Sequence, residues 1–451
     1  MYARRSSHVT VWLLSTVIGC AACATHQDAN REPAGPALHV HLGPIIPLMP
    51  AQKWDYDAQA VIDIHGQVHV LAASSKPSQV QEIVVGADGV LKRRVVAPIK
   101  KLIGWDPNLD EAFDDQGRLH TLVDGRHFVF ADDGWVLSGH TPWEETGTKA
   151  EDVSFVHGAP GLIWKFQGNG SELGAKAHWE IWGFGNAMGG LIWPWRTHGT
   201  RTVIVPEIDS AYPVWTVVEP NDKHNTLAKA AAADGKSNVC LIYRKDVGGL
   251  FSTEDQPGVV QSPYAGGLWY GCIPGFGARA AGASAAADVP STGASRRLKD
   301  RVQLRPFQGA ALPPAGITPI SVALDPKTGT VLAGTGWLLQ DSRWQGPVPG
   351  SSLIAGYGHV IAAGNNGFHA VGIAHGAYFN GAGNWYPAIL YSRLSPERGW
   401  SQPVEVGTAY VQTNAYWTQE STNIAATADG RVFIVWPGAE GLVGRWVTEG
   451  Q

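Results

Sequence analysis

One motif recurs along the chain and limits what it can fold into. A short apolar run reaches an Asp, Asn or Gly turn, and a second apolar run follows at once. The copies are Ala60–Gly66 into Val68–Ala73, Ala112–Gly117 into Leu119–Val123, and Asp152–Gly158 into Gly161–Phe166. Further on come Lys229–Gly235 into Asn238–Tyr243, Ser321–Gly329 into Thr330–Ala333, and Asn423–Gly430 into Arg431–Trp436. A weaker copy spans His359–Ile373 around Asn365-Asn366-Gly367. Apolar runs of this length bounded by turn formers are β-hairpins. No sustained helical stripe competes with them, because the Ala-rich runs at 227–233 and 280–287 are short or interrupted by Gly.

Hairpins that each open a unit of about 40–60 residues predict an all-β fold, a six- or seven-bladed β-propeller of four-stranded antiparallel sheets. Small residues on each first strand suit the crowded axis, and the 19 Trp suit the gaps between sheets. A pair of β-sandwiches is the alternative. Leu38–Leu42 is expected to add a fourth strand to a last sheet built from 423–428, 431–436 and 442–447, which closes the ring and removes its edges. The low-complexity stretch at about 275–295 reads as an insertion within one blade.

Composition excludes several classes. Only 16% of residues are charged and the formal net charge is −5, so the chain has no global basic footprint for nucleic acid. The aromatic content excludes disorder, and the scarcity of helix formers excludes a coiled coil.

The N-terminus carries an address. Arg4 and Arg5 precede an apolar stretch, Val9–Ile18, that is too short to span a bilayer and fits a signal peptide. Val17-Ile18-Gly19-Cys20 resembles the bacterial lipobox, which implies a signal peptide over 1–19 and lipidation of Cys20. A flexible tether then covers 20–37 and the propeller 38–451. Ala21 after the Cys resembles outer-membrane sorting, so the expectation is a lipid-anchored outer-membrane protein. A plain secretory peptide cleaved elsewhere is the alternative. In that oxidising compartment Cys240 and Cys272 read as a disulfide, with two buried free thiols as the alternative.

The segment Ala388–Ser392 through Pro396–Val406, with Trp400-Ser401-Gln402-Pro403-Val404, resembles the sialidase-like propellers with Asp-box (BNR) repeats. The Asp position is degenerate here, with Glu397 the nearest acid. The arginine expected for sialidase chemistry is missing between Arg31 and Arg93, so sialidase activity is not implied.

Candidate ligand contacts are aromatic and acidic residues just before presumed inner strands. They are Trp54, Asp55 and Asp57; Trp105, Asp106 and Asp110; Glu144; Asp222 and His224; and Trp417 with Glu420. Aromatic planes beside carboxylates suit sugar rings or a bound cation, and Asp55, Asp106, Glu144 and Glu420 are expected to converge on one face. The competing reading is Trp packing between sheets and Asp capping turns. His157, His224, Tyr243 and His375 are the acid–base candidates if the protein is an enzyme. The expectation is an envelope lipoprotein whose channel mouth binds a glycan or an envelope protein without catalysis. A glycoside hydrolase or polysaccharide lyase using the same face is the alternative. No cofactor or metal is expected beyond a structural cation such as calcium.

Overall fold

The computed structural model describes residues 35–50, 58–99 without 76, 109–138 without 115 and 124, 153–157, 163–169, 180–185, 192–197, 200–206, 214–219, 225–233, 238–246, 268–274, 303–311, 322–351 without 326, 327, 335 and 342, 358–364, 367–373, 387–410 without 396, and 422–450 without 428. Every hairpin seen in the sequence is the first and second strand of a sheet. Sheet I contains Ala58–Ile62, Val68–Ser75, Ser78–Val85 and Val90–Pro98. Sheet II contains Leu109–Phe113, Leu119–Val123, Arg126–Ala131 and Gly134–Leu137. Sheet III opens with Val153–Phe155, sheet IV with Asn225–Ala233, sheet V with Val322–Leu324, sheet VI with Gly358–Gly364 and sheet VII with Asn423–Ala426. Among the described residues these are the seven sheets of four or five strands, beside one separate hairpin of Glu180–Gly185 and Ile192–Thr197.

The sheets form a β-propeller. The first strands of I and II, II and III, IV and V, V and VI, VI and VII, and VII and I lie side by side. Sheets III and IV meet where Ala233 N donates to His157 O at 2.7 Å. The first strands therefore follow one another around a closed ring, which a pair of sandwiches does not produce.

Turn chemistry explains the repeated hairpin. Asp63 Oδ1 accepts from His65 N and Gln67 N, each at 2.8 Å, and Gly66 turns the chain at φ +75°. Asp114 Oδ1 accepts from Gln116 N at 2.9 Å and Arg118 N at 2.8 Å, and Gly117 has the same φ of +75°. Positive φ favours Gly, and the carboxylate satisfies backbone donors that the turn leaves free.

Ring closure comes from both ends of the chain. Val40–Leu42 pairs antiparallel with Gly441–Glu449, with Val40 opposite Glu449 and Leu42 opposite Val447. The same edge is extended by Ile46–Pro50, with Ile46 opposite Gly444 and Pro50 opposite Gly441. The expected closing strand thus continues eight residues further than Leu42, to Pro50. Ile46, Leu48 and Met49 are buried with Phe433, Leu442 and Trp446 against sheet I.

Strand count departs from four in three sheets. Sheet III gains Gln303–Phe307 as a parallel partner of Val214–Val218, and the chain then returns to sheet IV as Ala310–Ala311. Sheet VI divides its outer edge between Gly399–Trp400 and Val404–Thr408, and sheet VII takes two N-terminal segments. The low-complexity stretch at 275–295 lies outside the described residues.

Candidate functional site

Two consecutive acids on the first strand of sheet II turn to opposite neighbours, as strand alternation requires. Asp110 faces sheet III and Glu111 faces sheet I. Asp110 Oδ1 accepts from Glu111 N at 2.9 Å and from His157 Nε2 at 2.8 Å, and Oδ2 accepts from Phe155 N at 2.6 Å. The Asp110 side chain is nearly buried (8% exposed), but the His157 side chain is about half open at 48%. Crowding around the imidazole works to lower its pKa. The charge and hydrogen bond of Asp110 outweigh that and raise it above the ordinary value. The pair is an imidazole presented to solvent and oriented by a fixed carboxylate.

The inner ring carries related polar groups on the two preceding sheets. Asn423, on the first strand of sheet VII, accepts at Oδ1 from Ile424 N at 2.8 Å, as Asp110 does from Glu111 N. Asn423 Nδ2 donates to Gln59 Oε1 of sheet I at 2.8 Å. Asn423, Gln59 and Asp110 each stand four residues before the residue that opens their hairpin turn, Thr427, Asp63 and Asp114. Three adjacent first strands thus place an amide or carboxylate at the same level of the ring.

Behind Asp110 the sheet II–III interface holds a second network. Asp114 Oδ2 accepts from Arg118 Nε at 2.6 Å and from His120 Nε2 at 3.0 Å. His120 Nδ1 shares a hydrogen bond with His127 Nε2 at 2.9 Å, and the two rings stack with centroids 5.1 Å apart. Burial raises the Asp114 pKa, but the bonds from His120 and Arg118 outweigh it and hold the carboxyl below its usual value. His127 is pushed down to about 3, first by burial and then by the nearby His120.

The sheet I–II interface is also polar. Glu82 is fully buried and accepts from Arg94 Nη1 at 2.8 Å to both oxygens, from His69 Nδ1 at 2.8 Å and from Trp135 Nε1 at 3.2 Å. Burial alone would raise its pKa, yet His69 and Arg94 bring it below the ordinary value. Glu111 is the opposite case. Burial first, then the charges of Glu82 and Asp110, hold its carboxyl well above the usual range. The two carboxyls shift in opposite directions because Glu82 faces Arg94 and His69 while the charges nearest Glu111 are acidic.

Among the sequence candidates, Asp110 is placed in a strand rather than in the expected loop, with its carboxylate aimed at sheet III. Trp54, Asp55, Asp57, Trp105, Asp106, Glu144, Asp222, His224, Trp417 and Glu420 lie outside the described residues, as do Cys20 and His375. The expected convergence of Asp55, Asp106, Glu144 and Glu420 falls there too. Tyr243 is not an accessible acid or base. It is buried, donates to Glu219 Oε1 at 2.6 Å and accepts from Gly309 N at 2.8 Å, so it serves the core. Cys240 and Cys272 stand opposite each other on adjacent strands of sheet IV and are joined as a disulfide. The Glu82, Asp114 and His120–His127 networks were not singled out in the sequence. The signal for them was polar residues on the inward alternation of otherwise apolar strands, as in Leu119-His120-Thr121-Leu122.

No protein-family model matches the chain, and no curated protein matches it. Solved structures similar in outline include a Penicillium chrysogenum α-L-arabinanase complexed with arabinobiose, at 9% identity and TM-score 0.38, covering 92% of this chain and 99% of that one. A mutant Fusarium graminearum α-L-arabinofuranosidase, Arb93A, with an iminosugar inhibitor shows 11% identity and TM-score 0.38, covering 91% and 98%. A Dyadobacter fermentans protein of unknown function shows 9% identity and TM-score 0.42, covering 91% and 100%. Superpositions this loose leave the fold assignment to the sheet order and register above.

Proposed function

We propose that the protein is a cell-envelope lipoprotein, anchored to the outer membrane through Cys20, whose propeller binds a glycan at the inner ring. The observation that carries this reading is the Asp110–His157 pair: a half-exposed imidazole with a raised pKa, fixed by a carboxylate that itself accepts three hydrogen bonds. An imidazole fixed in place, with its proton affinity raised, suits an acidic sugar, and the amides of Asn423 and Gln59 suit hydroxyls. Seven blades is the count that seven first strands support. The sialidase-like resemblance of residues 386–436 rests on their sequence.

The mature chain is to be screened against acidic and neutral polysaccharides, with binding and product release both recorded. Retention of an acidic glycan without products supports the reading. Released oligosaccharides would instead make the protein a hydrolase or lyase, and retention of none would refute glycan binding.

A further inference from the structure

Six of the seven large hydrophobic side chains exposed among the described residues lie along the outer edges of three consecutive sheets. Leu42 and Ile45 belong to the N-terminal edge of sheet VII, Leu91 and Val95 to the outer strand of sheet I, and Val136 and Leu137 to that of sheet II. The edges are continuous. Arg93 Nη2 reaches Pro47 O at 3.5 Å, joining sheet I to the N-terminal segment, and the outer strands of sheets I and II are in contact. The described outer strands of sheets IV, V and VI expose instead Ala310 and Ala311, Arg343 and Gln345, and Glu405 and Thr408. Among the described residues the asymmetry is confined to one arc of the rim.

We infer that this arc, from Leu42 through Leu91 and Val95 to Leu137, rests on a membrane surface bearing anionic headgroups. Two features select a lipid surface as the occupant. Lys92 and Arg93 are exposed between Leu91 and Val95, so cations alternate with apolar side chains as interfacial binding requires. The chain also enters the fold beside this arc: Gln402 N of sheet VI donates to Pro36 O at 3.0 Å, and Val40–Leu42 then runs along the edge of sheet VII. The sixteen residues from Cys20 to Gly35 reach at most about 55 Å when fully extended, so a lipid on Cys20 keeps this edge near the bilayer. The geometry rests on the proposed anchoring, whereas the surface chemistry does not.

The test uses the mature chain from residue 20 with Cys20→Ser, which cannot be acylated, in flotation with vesicles. It should float with phosphatidylcholine vesicles containing phosphatidylglycerol and remain behind with phosphatidylcholine alone. Lys92→Gln should weaken flotation about fivefold, and the pair Leu91→Gln with Val95→Gln should abolish it. Arg343→Gln, on the opposite rim, should change nothing, and thermal melts will show that each variant is folded. Absence of flotation with phosphatidylglycerol, or equal loss in Arg343→Gln and Lys92→Gln, overturns the inference. The intact mass of the wild-type chain reads acylation separately, so an unmodified Cys20 would remove the anchor and leave the flotation result standing.

Discussion

His157 donates from Nε2 to Asp110 Oδ1 at 2.8 Å, joining sheets II and III although the residues are 47 positions apart. The carboxylate is spent on backbone and imidazole donors, so its role is to fix the ring and its charge. Asp110→Asn keeps the shape and removes the charge. His157 should then titrate lower than in the wild type, read by NMR of the imidazole, and stability should fall by about 1–3 kcal/mol, read by denaturant unfolding.

Acid should destabilise the fold in two stages. His127 and His369 have folded pKa values pushed down to about 3 and about 4, in each case first by burial, so between about pH 6.5 and those values the unfolded chain binds more protons. Stability then rises with pH, by about 1.4 kcal/mol per pH unit for each group. Asp114 and Glu82, both lowered, add a second loss as pH falls below the ordinary carboxylate range. His157 works the other way: its raised pKa contributes stability that is lost as pH rises through the folded value. Urea titrations across pH should show the slope, and His127→Leu should flatten it. An unchanged slope in that variant would mean His127 is not buried neutral.

The two buried glutamates should respond differently to the same change. Glu82→Gln leaves the Arg94 guanidinium facing a neutral amide and should cost about 3–5 kcal/mol. Glu111→Gln removes a carboxyl whose charged form is disfavoured by burial and by Glu82 and Asp110, and should lie within about 1 kcal/mol of wild type. Comparable losses in both variants would contradict the opposite shifts of the two carboxyls.

Much of this architecture was legible. The seven hairpins are visible because their turns need Asp and Gly, and Val40–Leu42 was recognisable as an unpaired apolar strand at the end of a polar segment. The parallel addition of Gln303–Phe307 to sheet III was not, because a pairing across 89 residues, such as Thr216 with Arg305, leaves no local pattern. The site was half legible. Asp110 stood out beside Trp105 and Asp106, but its partner is chosen by the stagger of neighbouring strands, which the sequence does not encode locally. Glu82 and Glu111 look like solvent-facing positions until the partners across each interface are known.

Closure should dominate stability. Leu48 is fully buried on the N-terminal strand of sheet VII, and Leu48→Ala should cost about 2–5 kcal/mol. Removing residues up to Leu42 should cost less than removing those up to Pro50, which uncovers Leu442 and Trp446. Thermal melts of the two truncations make the comparison. Equal melting points would show that Ile46–Pro50 adds nothing to the ring.

The disulfide should act through the unfolded chain. Cys240 and Cys272 are separated by 32 residues, and replacing both by Ala should lower stability by about 3 kcal/mol. Unfolding with and without reductant measures the same quantity in the wild type. No difference would show that the bond is not formed in the native protein.

The most direct measurement is the affinity of the retained acidic glycan for His157→Gln against wild type, by calorimetry over a range of pH. The account predicts that wild-type binding weakens as pH rises through the His157 pKa. It also predicts that His157→Gln binds at least about tenfold more weakly, with no such pH dependence, while remaining folded. Equal affinity in the two proteins, or a pH dependence retained without His157, would contradict a ligand site at the inner ring.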